Sequence, residues 1–132
     1  QLAHRLDAMS EGQRMDSIKQ GFSASWAEAA KSAFGLSPSD FGLLLNLSAS
    51  TFERRRKGDK PLDPVASERL DRLAVVAVLA EDVFEDKDAA ARWLSTPNHA
   101  LGGQAPVLHC DTEIGARQVR RILRAIEWGG VA

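Results

Sequence analysis

Two helix starts and two helix stops crowd into the segment 37–58, and they leave the chain little freedom there. Ser37 is a favourable N-cap and Pro38 suits the first helical position, where its missing N–H would have no partner. Asp40 follows three residues after the cap, at the positive end of the helix dipole. These signals predict a helix over 38–45, closed by Asn46, a residue that tolerates the left-handed backbone of a tight turn. Ser48 then caps a second helix over 48–57, which Gly58 stops. Two short helices joined through Asn46-Leu47 have the form of a helix-turn-helix. The other requirements of that motif are present. Gly42 is small where the first helix must pass closely, and Phe41, Leu45, Leu47 and Phe52 are spaced to form a shared core. Ser48, Ala49, Ser50 and Thr51 place short side chains at the open helix start that would face a DNA groove.

Charge supports the same reading only locally. The chain has 17 basic and 18 acidic side chains, so its overall balance names no partner. Yet 46–62 carries five basic residues against two acidic, whereas 63–93 carries eight acidic against four basic. Phosphate binding depends on a basic patch and not on whole-chain charge. Arg54, Arg55, Arg56, Lys57 and Lys60 are therefore candidate phosphate contacts, with Ser48 to Thr51 nearer the base edges. The competing reading is a solvated helix end whose cations complement the dipole, on a helix-turn-helix kept only as scaffold.

Elsewhere the chain reads as helix, because strand-like alternation of β-branched and aromatic residues is absent. An amphipathic start places Leu2, Leu6 and Met9 on one face, with Met15 and Ile18 following. A helix over 25–34 puts Trp26, Ala29, Ala30 and Ala33 at helical spacing and stops at Gly35. Asp63-Pro64 starts a long helix over 64–84 with two apolar stripes, Leu70, Leu73, Ala77 and Ala80, then Val75, Val78, Leu79 and Val83. Such breadth must be covered by the rest of the chain or by a second copy, and a homodimer is the expectation. A helix over 88–94, a loop over 100–109 and a last helix over 112–128 complete an all-α chain. In the last helix Ala116, Val119, Leu123 and Ile126 face inward, opposite a basic stripe of Arg117, Arg120, Arg121 and Arg124. A solvated face is the ordinary reading of such a stripe.

Several classes are disfavoured. Cys110 is the single cysteine, so no internal disulfide forms and a reducing compartment is expected. No apolar run is long enough for a membrane helix, and nothing in 1–20 resembles a signal peptide. The sequence begins at Gln1, not Met, as a trimmed chain would, and a cytoplasmic location is expected. His99, His109 and Cys110 fit no zinc spacing, and no catalytic triad, phosphate loop or paired carboxylates can be assembled. No enzyme activity, cofactor or metal is expected.

The run from Leu45 through Arg54 resembles the turn and recognition helix of Xre-type phage repressors, with Gly58 and Pro61 where that family has glycine and proline. This chain departs from it at Arg55-Arg56, where the common pattern has Trp-Glu. The segment Arg92-Trp93-Leu94, Thr96-Pro97-Asn98 and Ala100-Leu101-Gly102-Gly103 is similar to the toxin-binding domain of the MbcA/ParS/Xre antitoxins. The resemblance continues through Asp111-Thr112-Glu113-Ile114-Gly115-Ala116 and covers residue 18 to the carboxyl end.

The resemblance implies an N-terminal helical extension over 1–24, a helix-turn-helix DNA-binding and dimerisation domain over 25–85, and a small helical toxin-binding domain over 86–132. It further implies a cognate RES-domain toxin that consumes NAD, covered at its active-site cleft by the carboxyl-terminal portion, and autorepression at operator DNA. The expected toxin contacts are Leu101, Gly102, Gly103, Arg117, Arg120, Arg121, Arg124, Trp128, Gly129, Gly130, Val131 and Ala132. Trp128 followed by glycines suits insertion into a pocket, and the competing reading folds it back as a core cap. Gly129-Gly130-Val131-Ala132 stands where relatives carry larger residues. Gly102 and Gly103 also suit a turn needing positive φ. A stand-alone dimeric helix-turn-helix repressor is the alternative function.

Overall fold

The computed structural model describes residues 10–129. Leu2, Leu6 and Met9 lie outside them, as do Gly130, Val131 and Ala132. The helices are α1 (Glu11–Gln20), α2 (Ala24–Ala33), α3 (Pro38–Leu45), α4 (Ala49–Lys57), α5 (Pro64–Phe84), α6 (Lys87–Ser95), α7 (Pro106–His109) and α8 (Glu113–Glu127). A single 3-10 turn, His99–Leu101, precedes α7. Among the described residues there is no named strand, only isolated bridges at Ser23–Pro61 and Asn98–Gln104.

Local chemistry sets the starts of these helices. The side chains of Ser10, Ser23, Ser37, Ser48, Asp63, Asp86 and Thr112 each accept from a backbone N–H in the first turn. Asn46 closes α3 in the left-handed region at φ 54°. The turn then folds tightly: the Leu47 N–H donates to the Gly42 carbonyl at 2.9 Å. A methyl group at Gly42 would lie 2.6 Å from the Leu47 carbonyl oxygen. The small residue thus serves the close approach of the turn, one step before the helix crossing itself.

Two apolar cores share α5. One gathers Phe22, Ala27, Phe41, Leu45, Phe52 and Leu62 from the amino-terminal half onto Leu70, Ala74 and Val78. Phe41 and Phe52 meet edge to face with centroids 5.5 Å apart, fixing α3 on α4. The other gathers Ala90, Leu94, Val107, Ala116, Val119 and Leu123 onto Leu73, Val76, Leu79 and Ala80, and takes Leu44 from α3. Leu70, Leu73 and Ala80 from one stripe, and Val78 and Leu79 from the other, are buried within the described residues. The apolar breadth of α5 is therefore accounted for largely inside one chain. Polar contacts fasten α1 to the same helix: Arg14 meets Asp71 through two hydrogen bonds at 3.0 and 2.6 Å. The Phe22 N–H donates to the buried Ser67 hydroxyl.

Two expectations need correcting, one in α1 and one in the 100–109 loop. Met15 is exposed, and only Ile18 of the pair packs on the core. In α2 the buried residues are Ala24 and Ala27. Trp26 and Ala30 pack partly on the same core, and with Ala29 and Ala33 they line an open groove of about 450 Å³ against Leu73, Ala77, Ala91 and Leu94. The loop expected over 100–109 contains helical turns, because Asn98 caps one and Pro106 occupies the first turn of another.

Two glycines separate propensity from space. Gly42→Ala should destabilise the chain by about 1–3 kcal/mol in denaturant unfolding, because the new methyl must displace backbone. Gly12→Ala, whose methyl would meet only the Ser10 hydroxyl at 4.0 Å, should leave stability unchanged or raise it by up to ~1 kcal/mol. Equal effects at both sites would contradict the packing described for the turn.

Candidate functional site

The first surface is built by α4. A helix turns by about 100° per residue, so the side opposite the buried Phe52 is occupied by Ser50, Arg54 and Lys57. Ser48 accepts from the Thr51 N–H at 3.2 Å and its hydroxyl meets the Thr51 hydroxyl at 2.8 Å. Arg54 Nη2 donates to the same Thr51 oxygen at 3.1 Å. Ser48, Ala49 and Ser50 are exposed, and Thr51 is half-buried.

The basic cluster does not behave as one group. Arg55 turns back and donates to the Pro61 carbonyl at 2.8 Å, while its Nε is buried without a hydrogen-bond partner. Its job is to hold the 58–61 turn against the helix end. Arg56 pairs with both carboxylate oxygens of Glu53, with Nη2 at 2.8 Å from each. That hydrogen bond lowers the Glu53 pKa, and the same contact raises that of Arg56. Arg54, Lys57 and Lys60 are exposed. Of the five candidate phosphate contacts, Arg55 is therefore held on a backbone carbonyl, Arg56 is ion-paired, and Arg54, Lys57 and Lys60 are exposed. Sequence offered no signal for the Arg55–Pro61 contact, which spans six residues across a glycine turn.

The second surface is built by the 98–104 loop and α8. The Asn98 side chain accepts from the Ala100 N–H, the Gly103 N–H donates to the Asn98 carbonyl at 3.0 Å, and the Asn98 N–H donates to the Gln104 carbonyl at 3.1 Å. Gly102 and Gly103 adopt φ 68° and 85°, and a methyl at either would meet nothing within 4 Å. These glycines therefore provide backbone conformation at an exposed tip. Leu101, expected on the partner-facing surface, is buried and anchors the tip from below. Beside the tip, His109 is held between Gln104 at 2.7 Å and Gln118 at 2.5 Å, tying the loop to α8. Gly115 allows this approach, since a methyl there would collide with the His109 carbonyl. No sequence signal marked that imidazole as a bridge.

On α8, Ala116, Val119 and Leu123 are buried, and Arg117, Arg121 and Arg124 are exposed. Arg120 is half-buried and binds Glu113 at 2.7 Å, which lowers the Glu113 pKa. Arg124 pairs with Glu127 at 3.2 Å. Trp128 remains 85% exposed, which overturns the reading of it as a folded-back core cap. Gly129 follows at φ 87°.

No metal-ligating cluster exists among the described residues, and His109 is occupied by its two glutamines. Cys110 is buried, sits 3.4 Å from the Pro106 carbonyl, and has its pKa pushed up to about 12 by desolvation. No helix among the described residues is long and apolar enough to cross a membrane.

A helix-turn-helix joined through one shared helix to a helical domain with an exposed aromatic tail defines a two-surface adaptor. Known proteins place it further. Residues 13–75 match the antitoxin Xre-like helix-turn-helix domain, and residues 79–129 match the antitoxin Xre/MbcA/ParS C-terminal toxin-binding domain. The chain is 33% identical to the antitoxin Xre of Pseudomonas putida over 85% of its own length and 69% of that protein. It is 32% identical to the antitoxin Xre of Yersinia enterocolitica, covering 87% and 78% of the two chains. A Sphingobium protein named "Prs ADP-ribosylating antitoxin" is 31% identical, over 90% of this chain and 80% of the relative. The chain belongs to the Xre/MbcA/ParS family of antitoxins.

The buried thiol supplies a direct check. A thiol titrating near 12 is almost wholly protonated at pH 8, so native Cys110 should resist iodoacetamide while the denatured chain is alkylated promptly. Rapid stoichiometric labelling of the native protein would contradict the packing around α7.

Proposed function

We propose that this antitoxin neutralises a RES-domain toxin that consumes NAD, by laying residues 98–128 over the toxin's active-site cleft and excluding the dinucleotide. The observation that carries the reading is the match of residues 79–129 to a toxin-binding domain, on a surface that ends in a fully presented indole. The name of the Sphingobium relative couples an antitoxin with ADP-ribosylation, a chemistry that draws on NAD. Gly102 and Gly103 form the tip that meets the toxin, Arg117, Arg121 and Arg124 flank it, and Trp128 enters the cleft with the 129–132 tail. Arg120 supports the surface through Glu113.

The amino-terminal domain binds the operator of the same operon in the cytoplasm. Two copies sit on paired half-sites, as a two-fold operator requires, and the toxin alters operator affinity. Ser48 to Thr51 approach base edges while Arg56, Lys57 and Lys60 meet phosphates. Arg56 reaches phosphate by leaving Glu53, an exposed pair that costs little to part.

Co-expression with the cognate toxin tests this reading. Trp128→Ala should weaken toxin binding by about 30-fold or more, as expected for a buried aromatic anchor, and should restore NAD loss in cells. Operator binding in a gel shift should be unchanged. Full neutralisation by a chain lacking residues 128–132 would overturn insertion, and a chain recovered from its host only on DNA would favour the stand-alone repressor.

A further inference from the structure

We infer that Arg54 is a base-reading residue of this protein, beside Ser48 to Thr51, and that it selects guanine in the major groove of each operator half-site. The inference rests on the DNA-binding reading above and sharpens it. Three observations point to Arg54; Lys57 shares its outward stripe but carries a single ammonium in place of a planar fork. Arg54 lies almost diametrically opposite the buried Phe52, on the stripe of α4 that points away from the fold, four residues after the exposed Ser50. Arg55, one residue on, faces the fold and is fixed on the Pro61 carbonyl, and Arg56 is engaged by Glu53. Arg54 is also oriented: the Thr51 hydroxyl oxygen accepts from its Nη2, and that hydroxyl is itself set by the Ser48 cap.

The consequence is chemical. A guanidinium carries five N–H donors in a planar fork, and one of them is used on Thr51. The remaining four leave a parallel pair free, which matches the two acceptors, N7 and O6, that guanine presents in the major groove. A phosphate contact needs charge without orientation, and Lys57 and Lys60 supply that at the same helix end. Holding an exposed arginine along its helix costs side-chain entropy, and a directional partner such as a base edge draws on that ordering. Ser48 and Thr51 therefore have a double role, as helix cap and as guide for the guanidinium.

Binding-site selection from a randomised duplex pool, with the full chain and its variants, reads this directly. The wild type should enrich guanine at one position of each half-site. Arg54→Ala should flatten that position alone and weaken binding to the selected site by about 5- to 150-fold, the range for loss of one bidentate base contact. Arg54→Gln should move the preference at that position from guanine towards adenine, whose N6 and N7 a carboxamide matches. Thr51→Val should retain the guanine preference in weakened form. The inference is overturned if Arg54→Ala and Arg54→Gln weaken all sequences alike and reduce the salt dependence by one phosphate contact. Absence of any duplex binding by the wild type would instead remove the DNA-binding reading on which it stands.

Discussion

Burial of α5 on two opposite sides is the constraint from which the rest of the structure follows. Its Leu70, Ala74 and Val78 complete the core beneath the helix-turn-helix, while Leu73, Val76, Leu79 and Ala80 complete the core beneath α6, α7 and α8. Full burial of such side chains is worth about 1.5–3 kcal/mol each, so neither core closes without this helix. Leu44 of α3 crosses into the second core. The two halves are thus two surfaces carried on one spine, and a rigid helix in place of a linker sets the distance between them.

That arrangement assigns the polar chemistry to the ends. On α4 the outward stripe is free to carry short side chains and an oriented arginine because Phe52 takes the inward place. On the other side, the exposed glycine tip at 102–103 stays in position because Leu101 is buried below it and His109 braces it against α8. On α8, Arg117, Arg121 and Arg124 are exposed, as is Trp128 beyond its end. The outward stripe of α4 and the glycine tip therefore each rest on a buried neighbour, Phe52 under α4 and Leu101 under the tip.

What could be read from the sequence was what local chemistry decides. Ser37-Pro38, Ser48, Asp63-Pro64 and Thr112 act on backbone N–H groups within their own first turn, so their helices were legible to within a residue or two. Phe41, Leu45 and Phe52 were legible because one short motif brings them together. The misses came where a distant partner decides. Alanine spacing in α2 marked a helix without telling its faces apart: Ala24 and Ala27 are buried and Trp26 and Ala30 pack partly on the same core, while Ala29 and Ala33 stay exposed. Arg55 and Arg56 look alike in sequence but differ because one finds a carbonyl six residues on and the other a carboxylate one turn back. Leu101 sits in a motif of exposed glycines yet is drawn inward by the core.

The central claim is that two separate faces of one rigid chain serve two partners. Hydrogen exchange of the full chain, alone, with its toxin and with operator DNA, measures this most directly. The account predicts slowed exchange over 98–103 and 113–129 with the toxin, and over 46–57 with the DNA. Toxin-induced protection confined to 46–57, or none within 113–129, would contradict it.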